Sequence, residues 1–499
     1  MAQPTEEELL ILNSIIYASD FANLDTGTQK PMTILKWASD FDIDSIDNAN
    51  KPAEISKDEF TNIINTIKKN PDVYRKMTIQ NVDNSQYANE SGDQRVTNAT
   101  ITYENDTIII YKGTAGDLEW RDNGEGAYSN MTDTTQQKKA LEYYDEMVGE
   151  YSLGGDIYVT GHSKGGNKAQ YVGVLRGNEI KWAVSFDGQG FNQAFLMKYQ
   201  EQVAAYSGKI TNISNAYDFV NILLNPIAGD RRYIESTTTW GIFSATSLGD
   251  LPMHKFGGWH SPYSMFKEEG GLLSLNGQVA QSKTMATLQG LFLHYQKYMN
   301  EDDWRFMCYS IMGVMQNGEI AYGTDYSEMP EGFANRLIAL TKGYAEKNKG
   351  LDMIEVFGFL NNFFRYNPLV SLGGAVAYGL ASSESYASVI RDFTEEARES
   401  LLKLVEEVED EPDWDVTKWD VFYRVEKFFG GIDFPGNSSE LNNYYRKIID
   451  INGTSTDEIN RIFDAVYTEE SQFNTKMQNV CGQLENVSAA LKKLADSIE

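Results

Sequence analysis

Residues 156–166 read Asp-Ile-Tyr-Val-Thr-Gly-His-Ser-Lys-Gly-Gly, and this stretch decides the fold. Asp156 to Thr160 is short, apolar and β-branched, which predicts a buried strand. Gly165 to Arg176 follows with helical spacing of its apolar residues. We therefore predict a sharp strand-turn-helix with Ser163 at its tip. Glycine is needed two residues on either side of that serine, because Cβ atoms there would collide with the neighbouring strand and helix.

Strands and helices alternate on both sides of this turn. Upstream, the β-rich runs Ala99–Tyr103 and Thr107–Tyr111 flank a turn at Asn105-Asp106, which predicts a hairpin. The other predicted elements are a helical stripe at residues 6–19, helices Thr132–Glu150 and Gln193–Tyr206, and strands Lys181–Phe186 and Ile210–Asn215. Alternation of this kind is typical of βαβ units. The sequence predicts an α/β fold with a mostly parallel sheet covered by helices on both faces.

Beyond residue 280 the pattern changes to helical periodicity. We predict an α/β domain over residues 1–280 and an all-α region over residues 281–499. The predicted helices of that region are Leu288–Met299, Trp304–Met315, Ala334–Lys347, Tyr386–Val408, Ser438–Ile451 and Thr456 to the C-terminus. Its most apolar stretch, Leu369–Ala381, is too short to cross a bilayer, so no transmembrane segment is predicted.

Composition excludes several classes of protein. The formal net charge of −29 repels phosphate backbones, which argues against nucleic acid as a partner. Met1 to Glu8 carries three acids and no basic residue, unlike a Sec signal peptide. The two cysteines, Cys308 and Cys481, lack the spacing of a disulfide framework or a zinc site. The acidic run Asp40–Asp44 lacks the glycine and the final carboxylate of a calcium loop, so no metal site is predicted.

A serine in such a turn can act as a nucleophile if a base takes its proton. The chain contains four histidines. His162 is adjacent to Ser163 and is expected to pack against the sheet, and His294 lies on a predicted helix. His254 and His260 remain. We favour His260, because it lies in a loop after the last predicted strand, where the histidine of a Ser…Asp…His order falls.

The third member of such a site is a carboxylate that orients the imidazole. Asp187 directly follows the predicted strand Lys181–Phe186, and Asp218 follows the next one, Ile210–Asn215. An acid one strand further from the nucleophile is the commoner arrangement. We favour Asp218 and retain Asp187 as the alternate acid.

Attack on an ester carbonyl also requires donors for the oxyanion. One is the backbone N–H of the residue after the nucleophile, here Lys164. The second is expected from the loop at residues 111–114, Tyr-Lys-Gly-Thr, where Thr114 offers an N–H and a hydroxyl. This chemistry needs no metal or organic cofactor.

The chain resembles the fungal-type lipases, and most closely the bacterial lipase-like family of the α/β-hydrolase superfamily. The motifs that carry the resemblance are residues 111–114, Trp120 and Asp122 downstream of them, the Gly-His-Ser-Lys-Gly-Gly turn, Phe-Asp-Gly at 186–188, Asn215–Val220 and His260-Ser261. The resemblance covers roughly residues 8–310. It implies a lid-bearing lipase, esterase or phospholipase, including phospholipase A1, with Ser163, Asp218 and His260 as triad and Thr114 in the oxyanion hole.

The layout of the whole chain resembles the lipase toxins that Gram-positive bacteria export by the type VII system. That resemblance implies a leaderless antibacterial toxin whose C-terminal helical region binds small helical partner proteins. Without export, the chain is expected in the cytoplasm. Two rival functions stay open: a non-catalytic hydrolase fold that only binds, and a membrane-active toxin that inserts Leu369–Ala381 into bilayers.

Overall fold

A computed structural model describes residues 3–348 with gaps at 28–30, 47–52, 54, 90–91, 115–116, 129–131, 151–154, 238–257, 316–329 and 332. Several sequence predictions lie outside the described residues. They are His254, Cys481, the apolar stretch Leu369–Ala381, and the predicted helices Tyr386–Val408, Ser438–Ile451 and Thr456 to the C-terminus. The all-α character of residues 349–499 therefore stays a prediction.

The helices of the described residues carry the following labels. They are α1 (Glu6–Ile15), α2 (Ser19–Ala22), α3 (Ile34–Asp40), α4 (Lys57–Lys69), α5 (Pro71–Tyr74), α6 (Asp117–Tyr128), α7 (Thr135–Glu150), α8 (Lys164–Leu175), α9 (Gln193–Lys198), α10 (Gln200–Tyr206), α11 (Lys283–Tyr298), α12 (Glu301–Met315) and α13 (Phe333–Lys347). The single helix predicted over Gln193–Tyr206 is in fact two, separated at Tyr199. No helix in this part of the chain has both the length and the apolarity needed to span a membrane.

The strands of the same residues form one large sheet and one hairpin. They are β1 (Met32–Thr33), β2 (Met77–Asn89), β3 (Gly92–Tyr103), β4 (Asp106–Tyr111), β5 (Ile157–His162), β6 (Ile180–Phe186), β7 (Ile210–Asn215), β8 (Asp230–Ile234), β9 (Phe266–Glu269), β10 (Leu272–Leu275) and β11 (Gln278–Val279). Within the described residues, the large sheet has nine strands in the order β1-β2-β3-β4-β5-β6-β7-β8-β11, and β9 pairs with β10.

The large sheet is mixed, so the prediction of a mostly parallel sheet is corrected. Strands β4 to β8 pair in parallel, whereas the pairs from β1 to β4 and the β8–β11 pair are antiparallel. For β3 and β4 the cause is the short connection at residues 104–105, since a tight turn can join only antiparallel neighbours. The sequence pattern had indicated the β3–β4 hairpin but not β2. The α/β character holds, and the parallel centre carries the Ser163 turn.

Both faces of the sheet are buried at its centre, as strand β4 shows residue by residue. All six of its residues are buried. Ile108 and Ile110 pack into a cluster with side chains of α1, α3 and α4, whereas Ile109 and Tyr111 pack into a second cluster with side chains of α7 and α8. The alternation follows from the two-residue period of a strand. Full burial of one such side chain contributes about 1.5–3 kcal/mol.

Helix α1 covers the sheet beneath the Ser163 turn. Thr5 and Glu8 form a capping box, in which each side chain accepts a hydrogen bond from the other residue's backbone N–H. The buried Asn13 donates to the Thr160 hydroxyl on β5 at 2.8 Å. This bond fixes α1 against the strand that precedes Ser163, and it therefore fixes the residues that follow α1.

The chain divides into two compact units. The first comprises Met1–Thr239, Lys255–Leu293 and Ile320–Thr324, and it holds every described candidate site residue. In the second unit, α12 and α13 are joined by an ion pair in which Arg336 Nε lies 2.6 Å from Asp303 Oδ2. The predicted boundary at residue 280 stays a prediction.

Candidate active site

Ser163 occupies the turn between β5 and α8. Its backbone has φ 60° and ψ −127°, a conformation that residues with a Cβ rarely adopt. The first hydrogen bond of α8 runs from Asn167 N–H to Ser163 C=O at 3.1 Å, so the helix begins immediately after the serine. A Cβ at Gly165 would lie 1.9 Å from the Tyr111 carbonyl oxygen. The close approach of helix and strand thus requires glycine there, as the sequence predicts.

A continuous line of hydrogen bonds joins Ser163, His260 and Asp218. Ser163 Oγ lies 2.8 Å from His260 Nε2, and His260 Nδ1 lies 2.8 Å from Asp218 Oδ1. The Asp218 side chain is fully buried, whereas that of His260 is 15% exposed. A neutral imidazole that donates from Nδ1 to a carboxylate has a free electron pair at Nε2. In this arrangement Nε2 is an acceptor for the serine proton.

The segment that carries His260 is tied to the end of β7. Asn215 Nδ2 donates to Ser264 Oγ at 2.7 Å, and Ser264 Oγ donates in turn to the Trp259 carbonyl at 3.0 Å. The Trp259 ring stacks on Tyr217, with the ring centroids 5.9 Å apart. These contacts hold the backbone beside His260 close to the strand end that precedes Asp218.

Both candidate acids lie at the carboxyl ends of neighbouring strands, but only Asp218 contacts His260 Nδ1. Asp218 Oδ2 also accepts from the backbone N–H and the side-chain amide of Asn221, at 2.6 and 2.9 Å. Asp187 Oδ1 accepts from Asn215 N–H at 2.8 Å, and among the described residues its Oδ2 has no hydrogen-bond partner. Burial, followed by the nearby charge of Asp218, raises the pKa of Asp187 well above its usual range.

The loop after β4 lies against the serine. A Cβ at Gly113 would lie 3.1 Å from Ser163 Cβ, so the backbone of this loop passes close to the serine side chain. Thr114 Oγ1 accepts from Asn123 Nδ2 at 2.8 Å. Asn123 belongs to α6, and it fixes the hydroxyl that the sequence had assigned to the oxyanion hole.

The Lys164 side chain lies away from solvent, in a buried polar cluster. Its Nζ is 2.9 Å from Asp122 Oδ2, and these side chains are 1% and 0% exposed. Asp122 Oδ1 accepts from Gln136 N–H at 3.0 Å. Lys168, one turn along α8, donates to Gln136 Oε1 at 3.3 Å, and burial lowers the pKa of Lys168 to about 8. This cluster ties α6 and the start of α7 to α8.

Three side chains that could bind a metal ion also lie close together at the candidate active site. Among the described residues, His162, Asp187 and His260 bring one metal-ligating atom each within 4.8 Å of one another. Both nitrogens of each histidine are already hydrogen-bonded: those of His260 to Ser163 and Asp218, and those of His162 to Tyr17 and the His260 carbonyl. A metal ion would have to displace a hydrogen bond at every histidine that it bound.

The structure brings together most of the residues that the sequence singled out. Ser163, His260 and Asp218 are in direct contact, and the backbone of Lys164 follows the serine. Sequence reasoning missed Tyr17, whose hydroxyl contacts Gly113 and His162, and Asn123, which holds Thr114. Tyr17 lies 145 residues from its histidine partner, and no local pattern marks it.

A protein-family model matches part of the chain. Residues 71–230, about a third of the chain, match the model of the Mbeg1-like family. The matched segment contains Thr114, Ser163, Asp187 and Asp218 and ends before His260. No curated protein matches the chain.

Proposed function

We propose that this chain is a serine carboxylic-ester hydrolase in which Ser163, His260 and Asp218 act as nucleophile, base and acid. The observation that carries the proposal is the unbroken line of two 2.8 Å hydrogen bonds through the imidazole of His260. The strained turn at Ser163 supports it, since rare backbone conformations cluster at functional sites.

The reaction follows from the direction of these hydrogen bonds. Ser163 Oγ attacks the acyl carbonyl while His260 Nε2 takes its proton, and the C–O bond to the alcohol then breaks as His260 returns that proton to the leaving oxygen. Water, deprotonated by the same nitrogen, releases the acyl group from the serine. Asp218 keeps the proton on Nδ1 and stabilises the imidazolium that forms in each step.

The oxyanion of each tetrahedral intermediate is assigned to two donors. One is the backbone N–H of Lys164 at the start of α8. The other is Thr114, whose hydroxyl oxygen accepts from Asn123 and so leaves its own hydrogen to donate. A donor of this kind contributes about 3–4 kcal/mol to the transition state.

The finer assignment is a lipase or phospholipase A, including phospholipase A1, that acts on lipid acyl esters. This assignment rests on the sequence resemblance. Two further proposals have the same basis: that the protein is an antibacterial toxin exported by a type VII route, and that residues 281–499 bind small helical partner proteins. The net charge of −29 favours neutral or zwitterionic lipids over anionic ones as substrates.

A fluorophosphonate probe tests the proposal, because it labels only an activated serine. Wild-type protein and Ser19→Ala, a change at an exposed serine of α2, should both take up the probe, and Ser163→Ala should not. Hydrolysis of a short-chain p-nitrophenyl ester should fall about a millionfold in Ser163→Ala. An unlabelled wild type, or equal labelling of Ser163→Ala, would leave only a binding role for this fold.

Product analysis then addresses the substrate class. The full-length protein is incubated with defined phospholipids, triglycerides and short esters, and the released acids are identified. Release of the acyl chain from position 1 of a phospholipid supports phospholipase A1. Dye leakage from liposomes that persists in Ser163→Ala would instead support a membrane-active toxin.

A further inference from the structure

A hydrogen-bonded bridge joins the two sides of the candidate site behind Ser163. Tyr17, just after α1, places its hydroxyl oxygen 3.1 Å from Gly113 N and 3.0 Å from His162 Nδ1. His162 Nε2 lies 2.7 Å from the carbonyl oxygen of His260. The bridge therefore runs from the loop after β4, through Tyr17 and His162, to the backbone of His260.

The chemistry of the groups fixes the direction of every bond in this bridge. The His260 carbonyl can only accept, so His162 carries its proton on Nε2. In the neutral imidazole its Nδ1 is then a bare acceptor, and the Tyr17 hydroxyl donates to it. The Gly113 N–H can only donate, and it donates to the Tyr17 oxygen.

This arrangement requires a neutral His162, and its surroundings favour that form. Burial, and then the nearby His260, lower the pKa of His162 well below its usual value. The two imidazole rings lie with centroids 4.8 Å apart, and the Tyr17 ring meets the His162 ring edge-on. Both ends of His162 are thus held in place, and its ring has a single tautomer.

The two ends of the bridge are the parts of the site whose positions matter most. At one end, Gly113 lies next to Thr114, in the loop that closes on Ser163. At the other end, the carbonyl belongs to His260, whose ring contacts the Ser163 hydroxyl. A displacement of about 1 Å at such groups can cost a hundredfold in rate.

We propose that Tyr17 and His162 are positioning residues, which hold the Gly113-Thr114 loop and the backbone of His260 at the separation that the transition state requires. This role rests on the proposed esterase function. It acts through Gly113 and His260, so it predicts a change in transition-state stabilisation rather than in substrate binding.

The test compares Tyr17→Phe with Tyr199→Phe, which removes a hydroxyl that donates to Asp133. For Tyr17→Phe, kcat on a p-nitrophenyl ester should fall about ten- to a hundredfold with KM nearly unchanged. The inhibition constant of a trifluoromethyl ketone, whose hemiketal oxygen imitates the oxyanion, should rise by the same factor. Tyr199→Phe should leave both quantities at wild-type values.

Two variants of His162 separate the halves of the bridge. His162→Gln can keep a donor near the Nε2 position but loses the acceptor for Tyr17, whereas His162→Asn can keep an acceptor near Nδ1 but loses the bond to His260. Each should show part of the loss in kcat, and each should retain more activity than His162→Ala. Thermal unfolding of all variants monitors their folding.

The outcomes distinguish this role from the esterase function itself. Wild-type kcat in Tyr17→Phe, or a reduced kcat with an unchanged inhibition constant, overturns the positioning role alone. A reduced kcat with an unchanged inhibition constant would mean that only a fraction of the molecules is correctly folded and active. A wild type that neither hydrolyses the ester nor takes up the fluorophosphonate overturns the enzyme and the positioning role together.

Discussion

The ends of β6 and β7 make an instructive pair. Each is followed by a fully buried aspartate, Asp187 after β6 and Asp218 after β7. Asp218 accepts from His260 and twice from Asn221, whereas Asp187 accepts from one backbone N–H on a single oxygen. Two carboxyl groups at adjacent strand ends therefore have very different hydrogen-bond environments.

The difference shows how surroundings decide which carboxyl can serve as the acid. Both oxygens of Asp218 accept hydrogen bonds, whereas Asp187 accepts one, and burial raises the pKa of Asp187. Two like charges this close also oppose each other, so ionisation of one disfavours ionisation of the other. In the proposed mechanism, Asp218 is therefore the acid that stabilises the imidazolium.

The largest expected effect separates the two acids directly. Asp218→Asn should lower kcat about ten-thousandfold, because an amide cannot hold His260 in the tautomer that accepts the serine proton. The measurement is ester hydrolysis, with circular dichroism as a check on folding. The double variant Asp218→Asn/Asp187→Asn should lose no more. Substantial activity in the single variant that disappears in the double one would show that Asp187 can replace Asp218.

A smaller effect is expected from the groups that stabilise Asp218. Asn221→Ala removes the side-chain amide that lies 2.9 Å from Asp218 Oδ2 but keeps the backbone donor. One hydrogen bond to a charged group contributes about 1.5–3 kcal/mol, so we expect kcat to fall about tenfold. Asn84→Ala, which loses side-chain hydrogen bonds to Asn23 and from Thr97 away from the candidate site, is the matched control. An unchanged kcat in Asn221→Ala would argue that the hydrogen bond from the Asn221 side chain does not make Asp218 a better acid than Asp187.

The smallest effect on activity is expected from Asp187→Asn. This variant should also be more stable than the wild type at neutral pH. Its kcat should stay within about twofold of wild type, since an amide resembles the protonated acid. Asparagine also tolerates the positive φ of 48° at this position.

The pH dependence of Asp187→Asn follows from the raised pKa of Asp187. Above the unfolded-state value of about 3.9, the folded protein binds more protons at this group than the unfolded chain does. Stability therefore falls as pH rises from that value towards the folded pKa. Asparagine removes this loss, so chemical denaturation should show Asp187→Asn gaining stability over wild type between pH 4 and pH 7. If the free energy of unfolding rises by the same amount at pH 4 and at pH 7, the pKa of Asp187 is not raised in the folded protein.

The sequence predicted the centre of the fold better than its margins. The run from Asp156 to Arg176 forms strand, turn and helix as expected, because local pattern and tertiary setting agree there. Strand β2 was missed, since the segment Met77–Asn89 is polar and lacks a clear alternation. The antiparallel pairs that β2 forms with β1 and β3 were missed with it.

For the candidate site, too, the sequence predicted some residues, and others could be identified only from the structure. Strand-end positions singled out His260 and Asp218, because the carboxyl ends of parallel strands meet at one edge of a sheet. Which of two acids reaches the histidine depends on loop geometry, and here the structure was needed. The bridge through Tyr17 depends on the placement of α1 against β5, which no spacing in the sequence encodes.

The backbone at Ser163 has a consequence for engineering. Its φ of 60° and ψ of −127° suit glycine, and this conformation costs a residue with a Cβ about 1–3 kcal/mol. Replacement by glycine would thus relieve strain and remove the proposed nucleophile in one step. Variant libraries of this chain that are ranked by heat resistance alone will favour that replacement, so a screen for stability has to retain a screen for turnover.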